Sequence, residues 1–521
     1  TTMVRKMLAA LGILALAACA SLPPQLDADG RAAAQAGILS LGTQQPDRFE
    51  AITVTLDLPA AAAGSVLSFP DDWGPEERLS QLRRDTVTRG LERLPGDEEA
   101  YRVAPGGGWI AYTVAQDYDG EPDWETHRLP GMRVRTAERH AFLLGQTFLP
   151  QWSQGGVPLT LDLQSLPQRA AFSFAASDCA RGCALEDLAN SVLALGDFVF
   201  DTRQAGDTTV RSAIRGSFAM DADAMSGVLA GMLDQGAQRF DDAPFASYVF
   251  AVNPIPAPPQ GSAVVGTGLH RSFLLLASEN ADAGRLRHTI AHEIVHEWIT
   301  RRMGPTDEAT DAQRMWFTEG ATEYFAWKLQ LAAGLIDTQD FLAGMSDLAN
   351  AYLASPVREL PAGELAERIF ESDQAQRLPY QRGALLAWHW DMLARSRGAA
   401  LDAVIADLID ENAGRALTDA RIRAAMARRI GGQFDSDLAR YVVRGKTLDP
   451  EALTLPACVM ATRQPSGTVR FAVWEGIPAD TCRMEILGPP EAIGSAWNKP
   501  GAAVEPGCNP HGSGRDTTCA G

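Results

Sequence analysis

The run His292-Glu293-Ile294-Val295-His296 limits what this chain can fold into more than any other stretch of it. On an α-helix, residues i and i+4 lie one turn apart on the same face, so both imidazoles can reach one metal ion. Glu293 projects beside them and can hold an activated water as general base. The flanks predict the helix: Ala283-Gly-Arg-Leu-Arg287 leads in, and Ile290, Ile294, Val295 and Trp298 supply an apolar stripe at helical spacing. The alternative is two ordinary histidines on an amphipathic helix, a coincidence made uncommon by there being only 8 histidines in the chain.

Two histidines leave a zinc site one protein ligand short, and a carboxylate completes one of the usual catalytic sets. Downstream stands Trp316-Phe-Thr-Glu319-Gly-Ala-Thr-Glu323-Tyr-Phe-Ala326, a second apolar-aromatic helix with Glu319 near its start, 22 residues separating it from His296. Gly304-Pro305 and the polar run to Gln313 predict a loop that lets the second helix pack beside the first. Glu319 is the expected third ligand, with one Zn²⁺ per chain. Glu323, one turn later, either accepts a hydrogen bond from the far ring nitrogen of His292 or is a solvated surface carboxylate.

These segments resemble a family. HEIVHEW followed by WFTEGATEY looks like the gluzincin peptidases, whose third zinc ligand is the Glu of a W-x-x-E-G motif on the next helix. The long gap favours the glycyl aminopeptidase family over the aminopeptidase N family. His296-Glu-Trp-Ile-Thr-Arg-Arg-Met-Gly-Pro305 is similar to the former's H-x-W-N-x-K-R-x-x-P continuation. Leu378 to Ala387, with Asp391 and Arg395, resembles its Y-x-K-G-x-L…L-D…R segment, and Ser191–Phe198 and Ala243–Phe250 resemble its lead-in. The resemblance spans roughly residues 45 to 450 and implies a thermolysin-like catalytic domain.

It also places a tyrosine at Tyr380. A phenol, protonated at neutral pH, can donate a hydrogen bond to the oxyanion formed when water attacks a peptide carbonyl; the alternative is a core tyrosine anchoring a helix start after Pro379. Relatives carry a G-G-L-E-H or G-A-M-E-N strand before the zinc helix, and its Glu holds the substrate's free α-amino group. Here the stretch reads Gly266-Thr-Gly268-Leu269-His270, which puts Leu269 at the Glu position. An apolar side chain cannot pair with an ammonium, and burying that charge unpaired is costly. Glu279, or Glu297 next to the second ligand, is the candidate substitute. The strand can still bind an extended peptide by edge pairing at Gly266 and Gly268, with Gly268, Leu269 and His270 as candidate substrate contacts; His270 is equally a plain structural residue.

The beginning of the chain carries Arg5-Lys6, an apolar run from Met7 to Leu16, and Leu16-Ala-Ala-Cys19. This resembles a bacterial lipoprotein signal, with cleavage before Cys19 and lipid on its thiol. The expected location is the cell envelope, anchored in the outer membrane and facing the periplasm. Seven cysteines less Cys19 leave six, an even number that in an exported protein suggests disulfides. Local pairing is expected: Cys179 with Cys183, Cys458 with Cys482, Cys508 with Cys519.

Of the 521 residues, 503 remain after an 18-residue signal, too many for one core. The expected architecture is multidomain α+β: signal 1–18, tether 19–47, N-terminal β-sandwich 48–175, thermolysin-like catalytic domain 176–452, and a small C-terminal disulfide-containing β module 453–521. Strands are expected at Ala51–Leu58, Trp109–Val114, Leu159–Leu163 and Ala170–Phe174, and a polar helix within Arg78–Leu94. A net charge of −19 argues against nucleic acid as a partner, since phosphate binding relies on clustered Lys and Arg. The functional expectation is a zinc metallopeptidase, aminopeptidase-like, acting on peptide or protein substrates. The alternatives are an endopeptidase or dipeptidase, favoured by Leu269, and a non-catalytic, metal-stabilised binding protein of the envelope.

Overall fold

The strand Ser272–Ser278 (Ser-Phe-Leu-Leu-Leu-Ala-Ser) is buried at every position, and that accounts for the layering. A strand apolar on both faces must be covered on both. It lies in a five-stranded sheet ordered Val199–Ala205, Thr208–Ile214, Ser247–Ile255, Ser272–Ser278, Val264–Leu269. The central pairs are parallel and the two outer pairs antiparallel. Along Ser247–Ile255, Tyr248, Phe250 and Val252 enter a core shared with the helices, while Val249 and Ala251 enter one shared with the N-terminal sheets. The computed structural model describes residues 36–488, apart from 70–71, 74–75, 78–81, 97–98, 117–134, 244, 306–307 and 370. The signal segment, Cys19, Cys508 and Cys519 lie outside the described residues.

On the N-terminal side, a five-stranded sheet (Leu159–Ser165, Gly37–Gln45, Arg48–Leu58, Gly108–Val114, Arg83–Arg89) shares one core with two four-stranded sheets. The expected strands are present. Three expectations need correction. Gly37–Gln45, expected within the tether, is a strand, because Leu39 and Leu41 alternate into the core and it pairs on both edges. Arg83–Arg89 is a strand rather than part of a polar helix: it hydrogen-bonds to Gly108–Val114 and owes its polarity to an exposed outer face. The domain boundary at 175/176 falls too early, since Val192–Gly196 pairs with Ala170–Phe172 and His140–Leu144 in an N-terminal sheet. Cys179 and Cys183 form a disulfide beside it.

Helices cover the other face: Ala222–Phe240, Ala283–Val295, Glu308–Thr318, Gly320–Ala332, Thr338–Ala354 and Asp373–Arg395 among them. Asp373–Arg395 starts a turn and a half before Pro379 instead of after it, capped by Ser372. Gly320 and Gly383 mark where two helices touch: a Cβ on either would overlap the other's Cα, so the backbones cross without side chains between them. The C-terminal segment carries the expected hairpin (Val459–Arg463, Val469–Val473) and disulfide Cys458–Cys482, plus an unexpected helix, Ala479–Leu487. It is not an independent module. Phe471 packs on Trp388, Asn350 exchanges two hydrogen bonds with the Val469 backbone, and its apolar residues join the catalytic core.

Beneath the helices lies a buried ionic cluster. Lys328 Nζ contacts Asp391 Oδ2 (2.9 Å) and Asp402; Tyr324 Oη and Arg395 Nη2 donate to Asp391, and the Leu401 N–H caps its other oxygen. Burial alone would raise the Asp391 carboxyl, but Arg395 and Lys328 hold it below the ordinary carboxylate range. A depressed carboxylate contributes stability that is complete above its unfolded pKa, about 3.9, and fades as pH falls through the lower folded value. Asp391→Asn strands Lys328 and Arg395 and is expected to cost about 3–5 kcal/mol. Urea unfolding at pH 7 checks this, and the variant should lose less than the parent on further acidification below about pH 4.

Candidate metal centre

Asp282 opens the helix Ala283–Val295 by accepting from the Arg285 N–H at 2.8 Å. That start sets the phase that turns His288, His292 and His296 to one side. Glu319 occupies the single-residue break between Glu308–Thr318 and Gly320–Ala332, and the close Gly320–Gly383 crossing seats that break against the helix bearing Tyr380. The result is convergence. Glu319 Oε2 lies 3.3 Å from His292 Nε2 and 3.4 Å from His296 Nε2, and one donor atom from each residue lies within 4.8 Å of the others.

The far ring nitrogens are occupied. His292 Nδ1 is 2.9 Å from Glu323 Oε2, so Glu323 faces inward and is not a solvated carboxylate. His296 Nδ1 points at the Ile299 carbonyl, 3.4 Å away, which is reachable because the helix breaks at Ile299 and Thr300 (φ 101°). Both Nε2 atoms are thereby left for a metal. Burial alone would lower His292, but hydrogen bonds to Glu319 and Glu323 push it up to about 10. Burial would raise Glu319, yet the His296 and His292 rings hold it well below the usual carboxylate range. This cluster favours positive charge at its centre.

A third histidine escaped the sequence reading. His288 Nε2 lies 2.8 Å from Glu323 Oε1, and its other nitrogen meets Gln330 at 3.1 Å, so Glu323 bridges two rings. The signal was present: His288 stands one turn before His292, as His292 stands before His296.

Glu293 lies half-buried below the edge strand Val264–Leu269, where a Cβ on Gly266 would overlap its Cγ. Burial pushes its carboxyl up, against the charges of His296 and His292. Tyr380 stacks on His292 with ring centroids 5.4 Å apart and 27° between planes. Burial and the neighbouring Glu319 keep its phenol protonated far above neutral pH.

The candidate substrate contacts divide. Gly268 faces the catalytic helices. Leu269, one residue on, points through the sheet into the N-terminal core and is 1 % exposed, so it is no substrate contact. His270 stacks on Phe174 at 5.4 Å and donates its backbone N–H to Asn190, away from the metal donors. Strand alternation explains Leu269, whereas His270 lies past the strand's end, in the turn before Ser272. Neither proposed substitute for the missing Glu is free: Glu279 accepts from the Ser217 N–H, and Glu297 is wholly buried between Tyr248 and Arg301.

Comparison with known proteins agrees with this geometry. Residues 285–379 match the family model of the M61 glycyl aminopeptidases. An aminopeptidase N family protein of Idiomarina loihiensis superposes with a TM-score of 0.63 at 17 % identity, covering 82 % of this chain and 79 % of its own. An M1 zinc metallopeptidase of Deinococcus radiodurans gives a TM-score of 0.49 at 17 % identity, covering 81 % and 95 %. No curated protein matches the chain. Fold and donor set together define a zinc metallopeptidase of the gluzincin class. Its metal-helix segment, residues 285–379, is similar to the M61 glycyl aminopeptidase family.

If Glu323 fixes the His292 ring, Glu323→Ala should weaken zinc binding about 10–100-fold. Competition with a fluorescent chelator measures this, and an unchanged affinity would remove Glu323 from the site.

Proposed function

We propose that the chain hydrolyses peptide bonds with one zinc ion held by His292, His296 and Glu319. The observation that carries this is the spacing of their donor atoms. Zinc bonds of about 2.0–2.2 Å at tetrahedral angles set ligand atoms about 3.3–3.5 Å apart, and the two nitrogen-to-Glu319 separations are 3.3 and 3.4 Å. When bound, Zn²⁺ supplies Lewis acidity toward the scissile carbonyl and toward a water. The edge strand Val264–Leu269 supports binding of an extended peptide by strand addition. Glu293 then takes the proton of the attacking water and returns it to the leaving nitrogen, a task that suits a carboxyl raised by burial. Tyr380 donates its phenolic proton in a hydrogen bond to the developing oxyanion.

The match of residues 285–379 to the M61 glycyl aminopeptidase model favours an aminopeptidase. A second reading, cleavage of peptides without a free amino end, is favoured by Leu269, whose side chain is buried on the far side of the sheet. Glu293→Gln should abolish turnover while zinc content stays at parental level. Tyr380→Phe should lower kcat about 100-fold or more with little change in KM. Normal turnover in the Glu293 variant would end the hydrolytic reading. No cleavage of any peptide by zinc-replete parent protein would leave a metal-stabilised binding protein.

The envelope location rests on the residues preceding Cys19 and is supported by two disulfides, bonds that persist in oxidising compartments. Cys19→Ser should move the protein from the membrane pellet to the soluble periplasmic fraction and prevent labelling with a palmitate analogue. A parent protein that is itself soluble and unlabelled would contradict the anchor.

A further inference from the structure

Two side chains lie against the cleft face of the edge strand, at alternate positions. Glu293 packs beneath Gly266, and Arg301 packs beneath Gly268, where a Cβ would overlap Nη2. Same-face positions on a strand are about 7 Å apart. A peptide laid along this strand advances at the same rate, so a bond placed at Glu293 brings a group one or two residues away beside Arg301.

That guanidinium is fixed from behind. Arg301 Nη1 donates to the Leu269 carbonyl at 2.7 Å and to Glu297 Oε1 at 2.5 Å, while Tyr248 Oη donates to the same Glu297 oxygen at 2.7 Å. Glu297 is 0 % exposed and cannot reach a substrate; Arg301 is 24 % exposed. No acceptor among the described residues engages Nη2, so a held, partly open fork of donors stands at this end of the cleft. An ammonium placed there meets like charge, and a carboxylate meets the open Nη2 donor of a cation.

We propose that Arg301 makes this end of the cleft a carboxylate-reading subsite. The preferred substrates then carry a carboxylate within two residues of the cleaved bond, on an acidic side chain or at the chain's own C-terminus. This rests on the peptidase reading of the metal centre.

The test uses zinc-loaded protein and N-acetylated peptides bearing Asp, Asn or Lys at each of the two positions on either side of the cleaved bond. Each peptide is made with a free and with an amidated C-terminus. At one position or at the free C-terminus, the carboxylate should raise kcat/KM at least 10-fold over its amide. The free and amidated series identify which carboxylate is read. Arg301→Gln should reduce that ratio to about 2-fold or less, and Arg301→Lys should retain part of it. Because Arg301→Gln leaves Glu297 buried without its cation, the Glu297→Gln/Arg301→Gln double variant serves as a neutral control for folding and should show the same loss. No carboxylate preference in the parent, or one that survives both variants, overturns the proposal. Binding of the same peptides to zinc-loaded Glu293→Gln protein gives the discrimination without turnover. If the parent cleaves nothing, the peptidase reading fails, and these affinities alone decide whether Arg301 reads a carboxylate.

Discussion

A carboxylate buried between two imidazoles is the interaction on which the catalytic half depends. Glu319 is 8 % exposed, and a carboxylate so placed is tolerable only beside compensating positive charge. The surroundings are arranged to keep that need fixed in space. Glu323 and the Ile299 carbonyl take the outer nitrogens of the two rings, so the inner nitrogens have no use other than the shared centre. The Gly320–Gly383 crossing seats the Glu319 break against the helix bearing Tyr380. The cluster around Asp391 then ties the Glu319 and Tyr380 helices to Leu401–Asp410 from below, a few turns away from the chemistry.

The central sheet sets the other half of the design. Covered by helices on one face and by the N-terminal sheets on the other, it sends alternate residues of each strand into two different cores. The same alternation fixes what the edge strand can offer a substrate. Gly266 and Gly268 face the cleft and contribute backbone only; the charges on that face come instead from Glu293 and Arg301, both on the helix that bears the histidines and its irregular continuation.

How much of this was legible in the sequence followed from how local each signal is. The four-residue spacing of His292 and His296 and the apolar-aromatic surroundings of Glu319 are properties of short segments, so the ligand set could be named before any coordinates. His288 obeys the same spacing and was readable in principle. Leu269 stands at the Glu position of the motif, yet its direction is decided by which core claims the odd-numbered residues of the strand, a tertiary fact. Gly37–Gln45 reads as tether because the stretch from Ser21 to it is rich in Pro, Ala, Gly and Gln; pairing on both edges overrides that composition. Arg83–Arg89 lies in a polar stretch that reads as a helical insertion, and pairing with Gly108–Val114 makes it a strand. The C-terminal hairpin was visible, but that its apolar face belongs to the catalytic core was not.

Anomalous diffraction at the zinc absorption edge, on crystals of the protein purified without chelators, addresses the central claim most directly. The account requires one peak in the catalytic half, about 2.0–2.2 Å from His292 Nε2, His296 Nε2 and a Glu319 oxygen, with room left for a solvent ligand. A cleft lacking that peak, or a peak with Glu319 turned away from it, contradicts the account.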